Sequence, residues 1–206
     1  MRARVRRDLH DEEPASQRWR DPELDRHIAR AVQEASVASP QEVKSTLTTT
    51  AGSRDLDISS LSGRVSIEAV EHPTGQFPPS YVRFSVWGDT LTLLLDSPPA
   101  GAEQVAVYYG ALHSLDATGS TLPAALEDVV ATGAAAYAAL AWASFATNRV
   151  NAGGDETWRN YLVFGQERLA AFAQALAEQG RKGVVRARQL YTPAGPAPIQ
   201  SSGGLA

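Results

Sequence analysis

From Val129 to Asn148 the chain carries no charged residue, and alanine dominates the run: ATGAAAYAALAWASFA spans Ala131 to Ala146. An uncharged segment of this length is about what a helix needs to cross a bilayer. Its composition argues the other way. Alanine, serine and threonine contribute little transfer free energy into lipid, and the large apolar residues are few: Val129, Val130, Leu140, Trp142 and Phe145, plus Tyr137. The run reads as a soluble helix, without a membrane partner, whose smooth surface lets another element approach closely. A helix apolar nearly all round is a buried helix, so the question is what covers it.

One cover is legible downstream. Leu126, Val130, Gly133, Tyr137, Leu140, Ser144 and Thr147 recur by alternating fours and threes, which predicts a helix over 123–148. Trp158, Leu162, Gly165, Leu169, Phe172 and Leu176 recur the same way and predict a second helix over 155–179. The connection NAGGD is short, so the two fold back antiparallel. Folding at its glycines sets Leu140 beside Gly165, Gly133 beside Phe172 and Thr147 beside Trp158, large against small, as interdigitated packing requires. Ala134, Ala135, Ala138, Ala141 and Trp142 fall largely outside this seam. Either the N-terminal helix and the sheet cover them, or another subunit does.

Upstream, RARVRRDLHDE predicts a short helix over 2–10 with Val5 and Leu9 on one side, followed by a loop holding Pro14 and Trp19. A second helix is predicted over 22–36, with Asp21 as N-cap, Pro22 in the first turn, and Leu24, Ile28, Ala31, Val32 and Ala35 as its apolar face. It stops before Pro40. From about 45 to 110 the pattern becomes that of one small antiparallel sheet. STLTTTAGSRDLDISSL predicts two short strands, RVSIEAVEH another, and QVAVYYG a last one with Val105, Val107 and Tyr109 on a common face. In YVRFSVWGDTLTLLLD, Gly88-Asp89 is a two-residue hairpin turn, so Val86 faces Leu91, Phe84 faces Leu93 and Val82 faces Leu95. The fold class is therefore α+β: a helical bundle with an inserted sheet, one domain over 1–180, and an extended C-terminal arm over 181–206. The arm has no acidic residue, opens basic and ends in Pro, Gly and Ser. With 206 residues, 43% of them hydrophobic, the chain can bury a core without staples, and it has no cysteine.

Little in the chain advertises chemistry. The four histidines, His10, His27, His72 and His113, lack metal-ligand spacing; His72 near Glu68 and Glu71 reads as a solvated strand end. No glycine-rich phosphate loop or nucleophile elbow is present, and thiol mechanisms are excluded. The two glycines of NAGGDE read as a helix–helix turn capped by Asp155 in preference to an anion site. The acid pairs in HDEEP and LEDVV read as helix ends. No cofactor is expected, and the net charge of −4 carries no nucleic-acid signature. Arg181, Lys182, Arg186 and Arg188 can contact phosphates or an acidic protein surface. Val184, Val185, Leu190 and Tyr191 among them favour a protein.

The opening RVRRDLHDEE…RWRDPELDRHIARAV resembles the start of tailed-bacteriophage head-to-tail adaptor proteins, also called connector or head-completion proteins. The motif lies within about Arg4 to Val32; the order of parts after it, β insertion, paired helices and C-terminal arm, is similar to that family's too. The resemblance implies a non-catalytic virion protein of the neck, made in the host cytoplasm. It implies a homo-oligomeric ring, commonly a dodecamer, that docks under the portal protein. Such a ring extends the DNA channel without sequence-specific contact and offers a surface to the next tail or neck component. It further implies that Arg181, Lys182, Val184, Val185, Arg186, Arg188, Leu190 and Tyr191 form the portal-binding segment. Lateral contacts in such a ring are heterologous, which would put Ala134, Ala138, Ala141 and Trp142 at a subunit boundary; burial within the chain under the N-terminal helix is the alternative. Apart from the resemblance, a small non-catalytic binding or regulatory protein, monomeric or dimeric, fits the residues as well.

Overall fold

A computed structural model describes residues 1–116, 118–147 and 157–191; for 147 and 183–191 it describes the backbone course alone. The elements are α1 (Arg2–Asp8), a 3-10 turn (Pro14–Ser16), α2 (Asp21–Ala38), β1 (Gln41–Thr48), β2 (Asp55–Asp57), β3 (Arg64–Glu71), β4 (Phe84–Trp87), β5 (Thr90–Leu93), β6 (Gln104–Ala111), α3 (Ala124–Thr147) and α4 (Thr157–Tyr191). The fold is α+β, and the chain divides into two compact units. One comprises Met1–Val43, Ser62–Ser66 and Gly110–Arg181; the other comprises, among the described residues, Lys44–Leu61, Ile67–Tyr109 and 182–191.

The helical unit is built around α3. Val130, Ala134, Ala135, Ala136, Ala138 and Ala139 have no solvent exposure, so the alanine run lies inside the protein's own core. The apolar face of α2 (Leu24, Ile28, Ala31, Val32, Ala35) and Val5 and Leu9 of the first segment belong to the same cluster, as does Phe172 of α4. The glycines set the spacing of α3 and α4. A Cβ at Gly133 would lie 2.8 Å from the Phe172 ring, and one at Gly165 would lie 2.7 Å from Leu140 Cγ. Both pairings are those the antiparallel fold-back predicts. The connection over 148–156, the proposed Asp155 cap with the NAGGDE anion reading, and the Thr147–Trp158 pairing lie outside the described residues.

Three features differ from expectation. Asp21 is not the N-cap of α2: Arg20 holds that position, and its backbone N–H donates to Glu23 Oε2 at 2.9 Å. Asp21 is drawn into ion pairs instead. The β region forms two three-stranded sheets, β1-β6-β3 and β2-β5-β4, and not one. Alternation along a strand identifies a buried face but not which partner strand supplies it. Third, the chain does not become extended at 181: α4 runs on to Tyr191. Arg, Lys, Gln and Leu are good helix formers, and Gly180 and Gly183 lower propensity by only about 1 kcal/mol each, which does not stop a helix already nucleated.

In the β unit the hairpin has the expected register, Val86 opposite Leu91 and Phe84 opposite Leu93. Gly88 sits at φ +57°, as the first turn position of a type II′ hairpin requires. Leu91 and Leu93 are fully buried, as are Val105 and Val107 of β6, the middle strand of its sheet.

Candidate interaction surface

The N-terminal motif folds into a buried ionic clasp. Arg6, 7% exposed, is the hub. Its guanidinium donates to Asp11 Oδ2 at 2.5 Å, to the Trp19 carbonyl at 2.9 Å and to Asp21 Oδ1 at 2.7 Å. Asp11 in turn accepts from the backbone N–H of Arg18 at 2.6 Å and of Trp19 at 3.4 Å. The loop between α1 and α2 is thereby pinned to both helices by one arginine and one carboxylate. Asp11 is buried, where HDEEP alone reads as an exposed helix end. Glu127 and Asp128, also read as helix-end acids, pair with Arg4 of α1. Farther along, the Tyr137 hydroxyl donates to Glu34 Oε2 at 2.6 Å, and Arg30 lies 3.9 Å from the Tyr137 ring centroid. Burial and the neighbouring Glu34 push the Tyr137 hydroxyl up to about 12. Burial also lowers His27 below the ordinary histidine value, with Arg26 adding to the effect.

The clasp aims two neighbouring residues in opposite directions. Trp19 is buried, and its indole N–H donates to the Ala138 carbonyl at 3.3 Å. Arg18 is exposed, and its guanidinium carbon lies over two rings, 4.6 Å from the Trp142 centroid and 5.0 Å from that of Tyr161. Trp19 packs edge-on against both Trp142 and Tyr161. Phe145, 46% exposed, tilts against Trp142 at 5.4 Å. The result is an aromatic shelf at the end of α3 with one cation on it. Arg18 forms no ion pair among the described residues, and the indole N–H of Trp142 is buried with no acceptor there. Cation–π contact holds Arg18 in place while leaving its N–H groups available at the edge.

Of the residues read as a subunit boundary, Ala134 and Ala138 are covered within the chain, by Trp19 and the rest of the N-terminal cluster. Ala141 is exposed and Trp142 half-buried. Arg181 and Lys182 are exposed on α4, and Val184, Val185, Arg186, Arg188, Leu190 and Tyr191 follow on the same helix. The sequence reading missed Arg6, Asp11 and Arg18. The available signal was the density of Arg and Asp around an apolar Trp, a composition that an exposed loop does not need.

In the β unit the reading of His72, Glu68 and Glu71 as a solvated strand end is corrected for two of the three. Glu71 is 4% exposed and accepts from Tyr108 Oη at 2.7 Å, Gly75 N at 3.0 Å and Lys44 Nζ at 3.4 Å. The Tyr108 hydrogen bond, with Gly75 and Lys44, holds the Glu71 carboxyl below its ordinary value despite burial. His72 Nε2 lies 2.7 Å from Glu103 Oε2. Among the described residues no group of three His, Asp or Glu is placed to hold a metal ion.

Compared with known families, residues 1–197 match the family model described as SU10 adaptor protein. No curated protein matches the chain.

Proposed function

The chain belongs to the SU10 adaptor protein family of phage head-to-tail adaptors, and from that membership we propose that it closes into a ring below the portal. The family makes it a structural component of the virion neck. In our reading identical subunits, a dodecamer on the family's pattern, dock on the portal protein, prolong the DNA channel without reading sequence, and present a surface to the next tail or neck component. The observation that carries this is the reach of the match, which covers the N-terminal clasp, both sheets and both long helices rather than one motif. The buried clasp and the tight α3–α4 seam support it, because a ring subunit must keep its shape under the load of a filled head.

We assign portal docking to the segment Arg181–Tyr191 with the chain that follows. Its cations and apolar residues suit an acidic protein surface with hydrophobic pockets. The test is capture of the purified full chain by portal rings of the same phage, beside a chain ending at Gly180. The full chain is expected to bind as a closed ring visible by electron microscopy, and the shortened chain to lose binding. Equal binding by the two would overturn the segment; no binding by the full chain would overturn the docking.

A further inference from the structure

The aromatic shelf has a complement on the same chain. On α4, Val163 is 52% exposed, and Glu167 and Ala170 are exposed on the same side. At 3.6 residues per turn Val163 and Ala170 stand about 160–180° round the helix from Tyr161, the residue under Arg18, and Glu167 stands about 120° from it. The side of α4 turned away from the shelf and its cation thus carries the apolar pair Val163 and Ala170, with the Glu167 carboxylate at its edge. Glu167, like Arg18, forms no ion pair among the described residues. The levels agree too: continuing the register set by Leu140–Gly165 and Gly133–Phe172 brings Trp142 level with Val163.

We propose that a second copy of this chain covers the shelf: the Arg18–Trp142–Phe145 surface of one subunit seats on the Val163–Glu167–Ala170 face of the next, with Arg18 paired to Glu167. This rests on the ring reading above and names the contact that builds it. Two complementary patches facing away from each other on one molecule form a heterologous contact, which repeats head to tail and closes when the rotation allows. Copies related by rotation about an axis along the helix pair keep their levels, so Trp142 meets Val163. Glu167 lies one turn, about 6 Å, farther along, within reach of an arginine side chain. Ala170 and Ala141 let the two backbones approach, and the aromatic rings supply the apolar area that anchors such contacts. The remaining boundary residues of the sequence reading, Ala134 and Ala138, then serve the subunit's own core.

The absence of cysteine makes the test direct. Ala141→Cys and Val163→Cys are introduced together in the full chain and assembled on portal rings. Mild oxidation, or a short bis-maleimide for a looser fit, is expected to give a ladder of covalent oligomers ending at the ring, while neither single variant passes beyond dimer. In parallel, Arg18→Glu and Glu167→Arg are each expected to lower ring yield at least tenfold, and a mixture of the two to recover partly at the matched junctions. Circular dichroism confirms that each variant is folded. If wild-type rings form but the double-cysteine chain yields no ladder and the charge swaps assemble normally, the contact is wrong and the ring reading stands. If the wild-type chain forms no ring on portal, the ring reading falls and the contact falls with it.

Discussion

Gly133 is the place where the close approach of α3 and α4 can be measured. Considered alone, Gly→Ala in the middle of a helix stabilises by about 1 kcal/mol, because alanine loses less backbone entropy. Here the new methyl would sit 2.8 Å from the Phe172 ring, which is 1% exposed and has no room to swing aside. Forcing a methyl into a packed core costs about 1–3 kcal/mol, and a rigid buried ring puts the case at the upper end. Gly133→Ala should therefore destabilise by about 1–2 kcal/mol, a fall of about 2–8 °C in Tm for a chain of this size. Phe172→Leu alone should cost about 2–3 kcal/mol through the cavity it leaves. Together the two changes relieve each other, since the methyl enters the vacated space. The double variant should be at least about 1 kcal/mol more stable than the sum predicts. Urea unfolding followed by tryptophan fluorescence measures this in a Trp87→Phe background. Trp87 is 90% exposed and belongs to the β unit, so the remaining tryptophans report on the helical unit. If Gly133→Ala were more stable than the parent and additive with Phe172→Leu, the close contact would be refuted and propensity alone would describe the site.

Asp11→Ala strips the buried Arg6 of its best partner and orphans two backbone N–H groups, so a loss of about 3–5 kcal/mol is expected in urea titration. A variant within about 1 kcal/mol of the parent would show that the clasp is not what holds the loop. His27 titrates below the ordinary 6.5 in the folded chain, so the unfolded state takes up the proton first as pH falls. Stability is thus fully present above 6.5 and declines as pH drops from there through the folded value. The urea midpoint should fall between pH 7.5 and 5.5, and His27→Gln should flatten that part of the profile; an unchanged slope in the variant assigns the dependence elsewhere.

The distinction between what was legible and what was not follows the range of the interactions. Periodicity along α3 and α4 and the small number of residues between them determined the fold-back and the pairs Gly133–Phe172 and Leu140–Gly165, because a helix is a local object whose register can be counted. The hairpin at Gly88-Asp89 belongs to the same class. The division of the strands into two sheets was not available, since alternation is a property of one strand and pairing is a property of two. The helix beyond Gly180 is not legible because the segment as a whole, without an acidic residue and ending in Pro, Gly and Ser, has the composition of an extended arm, while propagation from an existing helix depends on the residues immediately after it.

The interaction surface shows the same boundary more sharply. Trp142 and Ala141 stood out in the sequence as residues that the α3–α4 seam does not cover, but Ala134 and Ala138 stood out equally, and only the packed chain separates the two pairs. Trp19, far away in sequence, comes down on the Ala138 carbonyl, while Ala141 and Phe145 farther along α3 stay exposed. By itself the sequence determined that a smooth, uncharged helix must be covered closely on several sides. The tertiary structure alone decided which sides the chain covers for itself. That choice depends on where a buried arginine, Arg6, folds a loop back through contacts to Asp11, Trp19 and Asp21, and no local pattern encodes such a meeting.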